Sequence, residues 1–489
     1  MSAPLMPHLV EPGTLAARLG TAFSEAGHEL WLVGGAVRDD LLGRPVDELD
    51  LATDARPSQV LDLLRPRAQE VWLQGMRFGT VGASIDGMRV EVTTYRQEWY
   101  TEDSRKPEVA FAPDITSDLS RRDFTVNAIA VRAPTGEVHD PFGGIQDLMR
   151  GLLRTPRSPE QAFSDDPLRM LRACRFASVL TEGPRSFFVS DEVVQATVAM
   201  ADRLAIVSRE RVRDELSKLL VGAKPSIGLE IMVATGLHQH VIAELGELAM
   251  EQDPIHRHKD VLRHTFAVVD KVPPDLVCRL GALLHDIGKP ATRAFGPDGV
   301  TFHHHEVVGA QMAERILRDL RYPVSVIADV RQLVYLHLRF HTYAMGWTDS
   351  AVRRYVRDAG PLLQELNALV RADCTTRNKV KARKLQARMD ELEERIADLA
   401  EREELSRIRP ALDGYDVMAL FDLRPSREVG DALDHLLERR LQDGPTDRWE
   451  TYEELERWGR ERGLVPARTA EEAAALADQT RPAPEEPQS

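Results

Sequence analysis

Cysteine is scarce in this 489-residue chain: Cys174, Cys278 and Cys374 are its whole supply. Spaced about a hundred residues apart, they can build neither a disulfide framework nor a zinc knuckle. Long apolar runs are missing too. The best of them, such as Leu280–Leu284, fall far short of the ~18–20 residues a membrane-spanning helix needs. Met1–Gly13 has no basic stretch followed by an apolar one, so no secretory signal is visible and a cytoplasmic protein is expected. Positive charge is also in deficit, with 63 Lys+Arg against 78 Asp+Glu and a net charge of −15. Such a chain is a poor non-specific binder of nucleic acid, because that affinity rests on neutralising phosphates. An RNA partner would have to be held by a local basic patch. Asn367–Arg388 is one, with seven Lys/Arg against the single acid Asp373.

Apolar residues make up 43% and charged residues 29%, which rules out a wholly disordered or collagenous chain. The length suits two to four domains at roughly 100–200 residues each. Between residues 30 and 150, short β-like runs alternate with turns and polar helices. "HELWLVGGAVRDDLLG" predicts a strand, a Gly-Gly turn and a helix. "LDLATD", "GTVGASIDG", "MRVEVTTYR" and "NAIAVRAPTGEVHDPFGG" read as strands, with turns at Asp86-Gly87 and Pro134–Gly136. From about Asp165 onward, apolar residues recur at i, i+3, i+4, as in Arg169–Val179, Arg209–Leu220, Asp260–Val272, Val307–Leu320 and Val324–Leu338. Leu385, Met389, Leu392, Ile396 and Leu399 keep that rhythm, so a long helix follows the basic patch. Ala470–Ser489, mostly Ala, Glu and Pro, is expected to be a frayed acidic tail. The expected fold is an α/β head followed by an extended all-α body.

Gly34-Gly35 stands between the strand Leu30–Val33 and a helix carrying Arg38. Two glycines let the backbone approach a phosphate closely, with helix N–H groups aimed at it. Glu48-Leu49-Asp50-Leu51 says more. In a strand, Glu48 and Asp50 share one face while Leu49 and Leu51 face the core. Two such carboxylates can bridge a pair of Mg²⁺ ions about 4 Å apart, a geometry suited to in-line attack on an α-phosphate. Glu91, opposing the Val face of Arg89–Thr93, supplies a third acid. The bland alternative is an edge strand with solvated acids. The ordered set of Gly-Gly, helix, acid-x-acid and later acid weighs against it.

"LVGGAVRDDLLGR", "ELDLATDA", "VEVTTYR", "RRDFTVNA", "DPFGG", "DDPLRMLRACRF" and "SRERVRDEL" follow one another between residues 30 and 220. In them the chain resembles the class II tRNA nucleotidyltransferases, which add CCA to tRNA 3′ ends and share a polymerase-β-like head with bacterial poly(A) polymerases. The resemblance implies tRNA, CTP and ATP as partners and Mg²⁺ in the head. One departure is Glu48, where the family usually has Asp. Glu is one methylene longer, so Asp47 becomes a rival ligand, though it would fall on the Leu face. The resemblance also implies Arg121 and Arg122 for triphosphate charge, Asp123 for orientation and Asn127 for a sugar or phosphate contact. Against this stands a charged helix N-terminus in which Asp123 pairs with Arg38. Asp166 and Arg169, at i, i+3 on a helix, project from one face. Their acceptor and donor match the amine and ring nitrogen that CTP and ATP share, whereas GTP and UTP offer a carbonyl at the amine position. With Pro167 at the first helical position, Asp166 could alternatively be the helix cap. Arg172 and Arg175 of the same motif join the nucleotide-binding set. The loop Gln97–Asp114 is assigned, by family analogy alone, a part in the switch from C to A addition.

A second constellation follows. His264, His285-Asp286, His303–His305, His337, His341 and Asp373 occur in the order His … His-Asp … His … His … Asp, with the helix bearing His285 expected to end at Gly288 and Pro290. This resembles the HD phosphohydrolase superfamily, which implies His264, His285, Asp286, His305, His337 and Asp373 as ligands. His305 is chosen over His303 and His304 on that resemblance. The donor set suits Mn²⁺, Ni²⁺, Fe²⁺ or Mg²⁺ and hydrolysis of a phosphoester. The competing reading is a relic of the fold that merely spaces the tRNA. Leu412–Leu436 looks like the tRNA-gripping tail of bacterial nucleotidyltransferases, with Pro425-Ser426 where those have Pro-Gly.

The expected domains are a nucleotidyltransferase head (1–155), a helical neck for nucleotide recognition and tRNA binding (156–250), an HD-type domain (251–385), a helical tRNA-binding tail (386–465) and an acidic disordered end (466–489). The leading expectation is an enzyme adding C, C and A to tRNA from CTP and ATP, with no membrane and no obligate protein partner. Alternatives are a poly(A) polymerase, an A-adding or CC-adding enzyme, or a tRNA-binding module whose one activity is the HD phosphohydrolase.

Overall fold

The computed structural model describes residues 8–99, 108–112, 114–250, 260–296, 299–340, 343, 346–374, 379–403 and 408–482. His341, Arg377 and most of the tip of the loop between residues 97 and 114 lie outside them. The head opens with α1 (Leu15–Glu25), β1 (Leu30–Val33), α2 (Gly35–Leu41), β2 (Glu48–Thr53) and α3 (Pro57–Leu64). It continues through β3 (Glu70–Trp72), β4 (Thr80–Ile85), β5 (Met88–Thr94), the hairpin β6 (Arg96–Trp99) and β7 (Glu108–Phe111), and α4 (Ile115–Ser120). β8 (Ala130–Ala133), β9 (Val138–His139) and α5 (Gly144–Arg150) complete it. Seven strands form one sheet in the order β3-β4-β5-β2-β1-β8-β9, with β2 and β5 parallel and the other neighbours antiparallel. Asp86 and Gly87, at φ +53° and +77°, make the tight left-handed turn that joins β4 to β5.

Period-two alternation sorts the sheet's faces. Leu49, Leu51, Val81, Val90 and Val92 are buried under α1 and α3. The other face is split. Its β1–β8 half, together with Ala52 of β2, holds Trp31, Val33 and Ala130 beneath Ile115 and Leu119 of α4. Its β2–β5 half carries the acids.

The body comprises β10 (Leu152–Leu153), α6 (Pro159–Asp165), α7 (Leu168–Leu180), β11 (Phe188–Val189), α8 (Asp191–Met200), α9 (Arg209–Leu220), α10 (Pro225–Ala234) and α11 (His238–Val241). After these come α12 (Val261–Lys271), α13 (Leu276–Leu284), α14 (Lys289–Thr292), a hairpin of β12 (Ala294–Gly296) and β13 (Gly299–Thr301), α15 (His305–Asp319) and α16 (Val324–Leu336). α17 (Asp349–Ala359), α18 (Leu363–Asp373) and α19 (Lys379–Glu403) close it. One continuous core runs from Phe124 and Leu148 through the neck helices to Met389, Leu392 and Leu399 of α19. The boundary expected after residue 385 therefore falls inside a helix of the HD core. A separate core begins at Leu412 and joins α20 (Gly414–Phe421), α21 (Arg427–Asp443), α22 (Arg448–Glu461) and α23 (Ala470–Thr480).

α23 corrects the expected frayed tail over its described part. Thr469 and Glu472 form a reciprocal capping box, and Ala473, Ala474 and Ala477 are buried in the tail core. Residues 483–489 lie outside the described set. A second correction concerns α13. It ends at Leu284, and Pro290 opens the short α14 rather than closing the earlier helix.

Candidate active site and metal centre

Parallel pairing of β2 with β5 sets Asp50 beside Glu91 and Glu48 beside Arg89, so the three acids occupy one face. Asp47 precedes the strand and is exposed. Glu91 accepts from Arg89 at 2.6 Å. Gly34, at φ +73°, sits under the row: a Cβ there would lie 2.9 Å from Arg122 Nη1 and 3.2 Å from Asp50 Oδ2. The glycine is thus needed for backbone, carboxylate and guanidinium to meet. Burial pushes the Asp50 carboxyl up to about 6, with Arg122 opposing and Glu48 and Glu91 adding to the rise. Three carboxylates crowded on one face, one of them buried, are a donor set suited to divalent cations.

Arg121 and Arg122 are held by a residue the sequence reading missed. Asp118, buried in α4, accepts from Arg121 at 2.6 Å and Arg122 at 3.2 Å, the i, i+3 and i, i+4 spacing that could have revealed it. Burial disfavours its charge, yet Arg121 and Arg122 prevail and hold its carboxyl below the usual range.

Asp123 does not pair with Arg38. It accepts from both Arg172 Nε and Nη2, at 2.8 and 2.5 Å, and from Asn127 Nδ2 at 2.8 Å. Asn127 Oδ1 in turn accepts from Arg38 at 2.7 Å. Both ends of the Asn127 amide are thereby engaged within the protein. Burial opposes the Asp123 charge, but Arg172 outweighs it and the carboxyl lies far below its ordinary value. Glu215 of α9, also missed, extends the chain to Arg172 at 3.2 Å and Arg175 at 2.6 Å. The ring of Phe176 lies within 5.4 Å of the guanidinium carbons of Arg38, Arg172 and Arg175. Asp166 and Arg169 stand where α6 meets α7. Pro167, expected as the first helical residue, is instead the N-cap of α7; Asp166 Oδ1, one position before it, accepts from Leu168 N at 3.2 Å, and Oδ2 accepts from Arg211 at 2.8 Å. Arg169 donates to the carbonyls of Ala162 at 3.3 Å and Arg121 at 2.5 Å.

In the body, His285, His305 and His337 sit at helix ends and share one arrangement. Each Nδ1 faces the carbonyl three residues earlier (Ala282, Phe302 and Val334) at 2.6–2.8 Å. Donation there leaves Nε2 as the free lone pair. All three Nε2 atoms are buried without a hydrogen-bond partner among the described residues, and all lie within 4.0 Å of an Asp286 oxygen. His264 Nε2 is 2.8 Å from Asp373 Oδ1 and 3.9 Å from Asp286 Oδ2. His303 and His304 are exposed. Gly288 permits the close crossing of α15, since a Cβ would lie 2.4 Å from His305 O. Burial lowers His285, but the Asp286 and Asp373 charges override it and push its pKa up to about 10. Burial and the neighbouring His285 push His337 down to about 3. Such a cluster tolerates one cationic imidazole but not several, and a divalent ion would satisfy it better. Lys289, 2.7 Å from Asp286 Oδ2, is a neighbour that the sequence reading passed over.

The poly(A) polymerase head-domain family matches residues 30–154, a probable RNA-binding region of polymerase A residues 186–248, and the HD domain residues 258–405. The CCA-adding enzyme of Anoxybacillus flavithermus is 30% identical over 411 residues, covering 84% of this chain and 88% of that protein. The chain belongs to the CCA-adding enzyme family. The family member from Geobacillus thermodenitrificans is 41% identical over 224 residues, 45% of this chain and 53% of that one. Among solved structures, the Bacillus stearothermophilus CCA-adding enzyme in complex with CTP superposes with a TM-score of 0.64 at 25% identity, over 92% of this chain and 98% of that one. The Thermotoga maritima CCA-adding enzyme complexed with tRNA shares the fold at 17% identity and a TM-score of 0.54, over 90% of this chain and 94% of that one. Divalent metals are typical of both the head and HD families.

Proposed function

We propose that this protein adds C, C and A to the 3′ end of tRNA from CTP and ATP, releasing pyrophosphate. The observation that carries this reading is the meeting of Asp50, Arg122 and Gly34 beside Glu48 and Glu91, next to the Asp123–Arg172 network. Glu48 and Asp50 would hold Mg²⁺, with Glu91 alongside; bound there, the ion supplies charge neutralisation for the reacting phosphate. Arg122, kept in place by Asp118, presents its guanidinium to the triphosphate over Gly34. Arg38 and Asn127 act through Asp123 by fixing its carboxylate, and Asp123 fixes Arg172. Asp166 and Arg169 read the amine and ring nitrogen shared by cytosine and adenine. This requires exchange of their present partners, Arg211 and two backbone carbonyls, for the base. In such transfers, alignment and electrostatics supply most of the catalysis. No helix among the described residues is long and apolar enough to cross a membrane. A cytoplasmic setting follows from the substrates.

A tRNA lacking CCA, incubated with labelled CTP, with labelled ATP and with both, tests the reading. Growth by two C and then one A is expected. Extension by C alone, by A alone or by long A runs would overturn it. The three orphaned imidazole nitrogens favour a second activity. His264, His285, Asp286, His305, His337 and Asp373 would hold Mn²⁺, Ni²⁺, Fe²⁺ or Mg²⁺, and a metal there supplies Lewis acidity for phosphoester hydrolysis. Hydrolysis of p-nitrophenyl phosphate that needs added metal and vanishes in His285→Ala is the expected result. Equal hydrolysis by that variant would exclude it.

A further inference from the structure

The acidic face of the head sheet continues past the carboxylates. Register places Trp72, Gly82, Glu91 and Asp50 in one row across β3, β4, β5 and β2. Gly82 leaves a gap that Trp72 fills, because a Cβ there would lie 1.9 Å from the indole Nε1. The half-buried indole therefore lies down across β4, on the side leading to Glu91. The guanidinium carbon of Arg89 stands 5.7 Å from its ring centre. A second pair repeats the chemistry between β3 and β4, where Arg77 lies 4.5 Å from the ring of Phe78, itself 38% exposed. α4 covers only the β1–β8 half of this face, and α3 packs on the opposite face through Val60 and Leu64. Aromatic rings interleaved with guanidinium groups are the general means of holding single-stranded nucleic acid.

Direction decides what this surface holds. In-line displacement puts the attacking hydroxyl and the leaving pyrophosphate on opposite sides of the α-phosphate. Gly34, Arg122 and Arg172 gather on the β1 and neck side of the acids, where the triphosphate belongs. The RNA terminus must then come from the β4–β3 side. We propose that Trp72, seated over Gly82 and flanked by Arg89, is the stacking platform for the 3′-terminal nucleoside of the acceptor tRNA. The inference rests on the CCA-adding reading and deepens it.

The test uses the full chain and tRNA lacking CCA, with 2-aminopurine as its 3′-terminal base. The wild type is expected to quench the probe on binding. Trp72→Ala should abolish the quench and raise KM for tRNA by about tenfold, equivalent to ~1.4 kcal/mol, with KM for CTP unchanged. Trp72→Phe should restore most of both, and Gly82→Val, which evicts the indole, should behave like Trp72→Ala. Melting curves establish that each variant is folded. The proposal is overturned by an unquenched wild-type complex, by a quench that survives in Trp72→Ala, or by equal rises in KM for tRNA and CTP. The quench needs no turnover, so it still decides the point if the wild type adds no CCA. That outcome would sink the activity reading by itself.

Discussion

Asp50 is the residue whose charge the fold most opposes at the reacting centre. Its carboxyl, raised from 3.8 to about 6 chiefly by burial, costs the metal-free protein stability when it ionises. That stability is fully present below about pH 4 and is lost as pH rises through about 6. Asp50→Asn removes the penalty. In EDTA, the variant should match the wild type at pH 4 and be more stable at pH 7.5 by at most about 3 kcal/mol, while nucleotide incorporation collapses. Thermal melts at the two pH values check this, and a variant less stable at pH 7.5 would contradict it. Asp166 offers a sharper test of specificity. Asp166→Asn keeps the size but adds a donor that meets the carbonyl of UTP or GTP. Preference for CTP and ATP should fall by roughly one to two powers of ten, as for a bidentate contact worth about 1–3 kcal/mol. Helix α7 should be little affected, because Asn caps about as well as Asp. Equal loss of all four nucleotides by the folded variant would leave Asp166 as a cap and an ion-pair partner of Arg211.

At the scale of elements, the strands and the acid row were legible because alternation is a local signal: Leu49 and Leu51 in, Glu48 and Asp50 out. The hydrogen-bonded network beside those acids was not. Arg38, Asn127, Asp123, Arg172 and Glu215 are linked through hydrogen bonds, yet they are drawn from residues 38 to 215. No spacing rule reaches across four separate elements, so Asp123 could not be matched to Arg172 in advance. α23 was a different kind of failure. Its Ala-Glu composition resembles a solvated tail, although Thr469-x-x-Glu472 was a legible helix start. What settles its fate is tertiary: buried Asp416 accepts from Tyr452 at 2.7 Å, Arg448 at 2.8 Å and Arg481, just past α23, at 3.0 Å. Deleting residues 467–489 should therefore unfold the tail rather than trim it. Asp416→Ala, which leaves the buried Tyr452 hydroxyl unpaired while Arg448 and Arg481 keep Asp478 and Asp413, should cost about 1–3 kcal/mol. Limited proteolysis between α20 and α22 reports both changes. Unchanged cleavage after the deletion would show that α23 is dispensable.

For the whole molecule, the distribution of cores matters more than the sequence boundaries. Head and tail each keep a core of their own, whereas neck and HD helices share one that runs from Phe124 to Leu399. The expected division at residue 250 therefore crosses a shared apolar core. Apolar contact is what couples residues in an unfolding reaction, so α7–α9 and α12–α18 should open together. A ligand that binds only the folded cluster stabilises the unit containing it, by ~2.7 kcal/mol at a hundred times its Kd. For a body of this size that corresponds to a rise in Tm of about 5–10 °C. Adding Mn²⁺ to metal-stripped protein should then slow hydrogen exchange in α12–α18 and equally in the neck helices α7 and α9, far from the histidines. α20–α23, with a separate core, should exchange at the same rate with or without the metal. Leu216→Ala, an α9 substitution worth about 2–5 kcal/mol, should speed exchange on the HD side as well as in the neck. Protection that stops at residue 250 would show that neck and HD domain open independently despite their shared core.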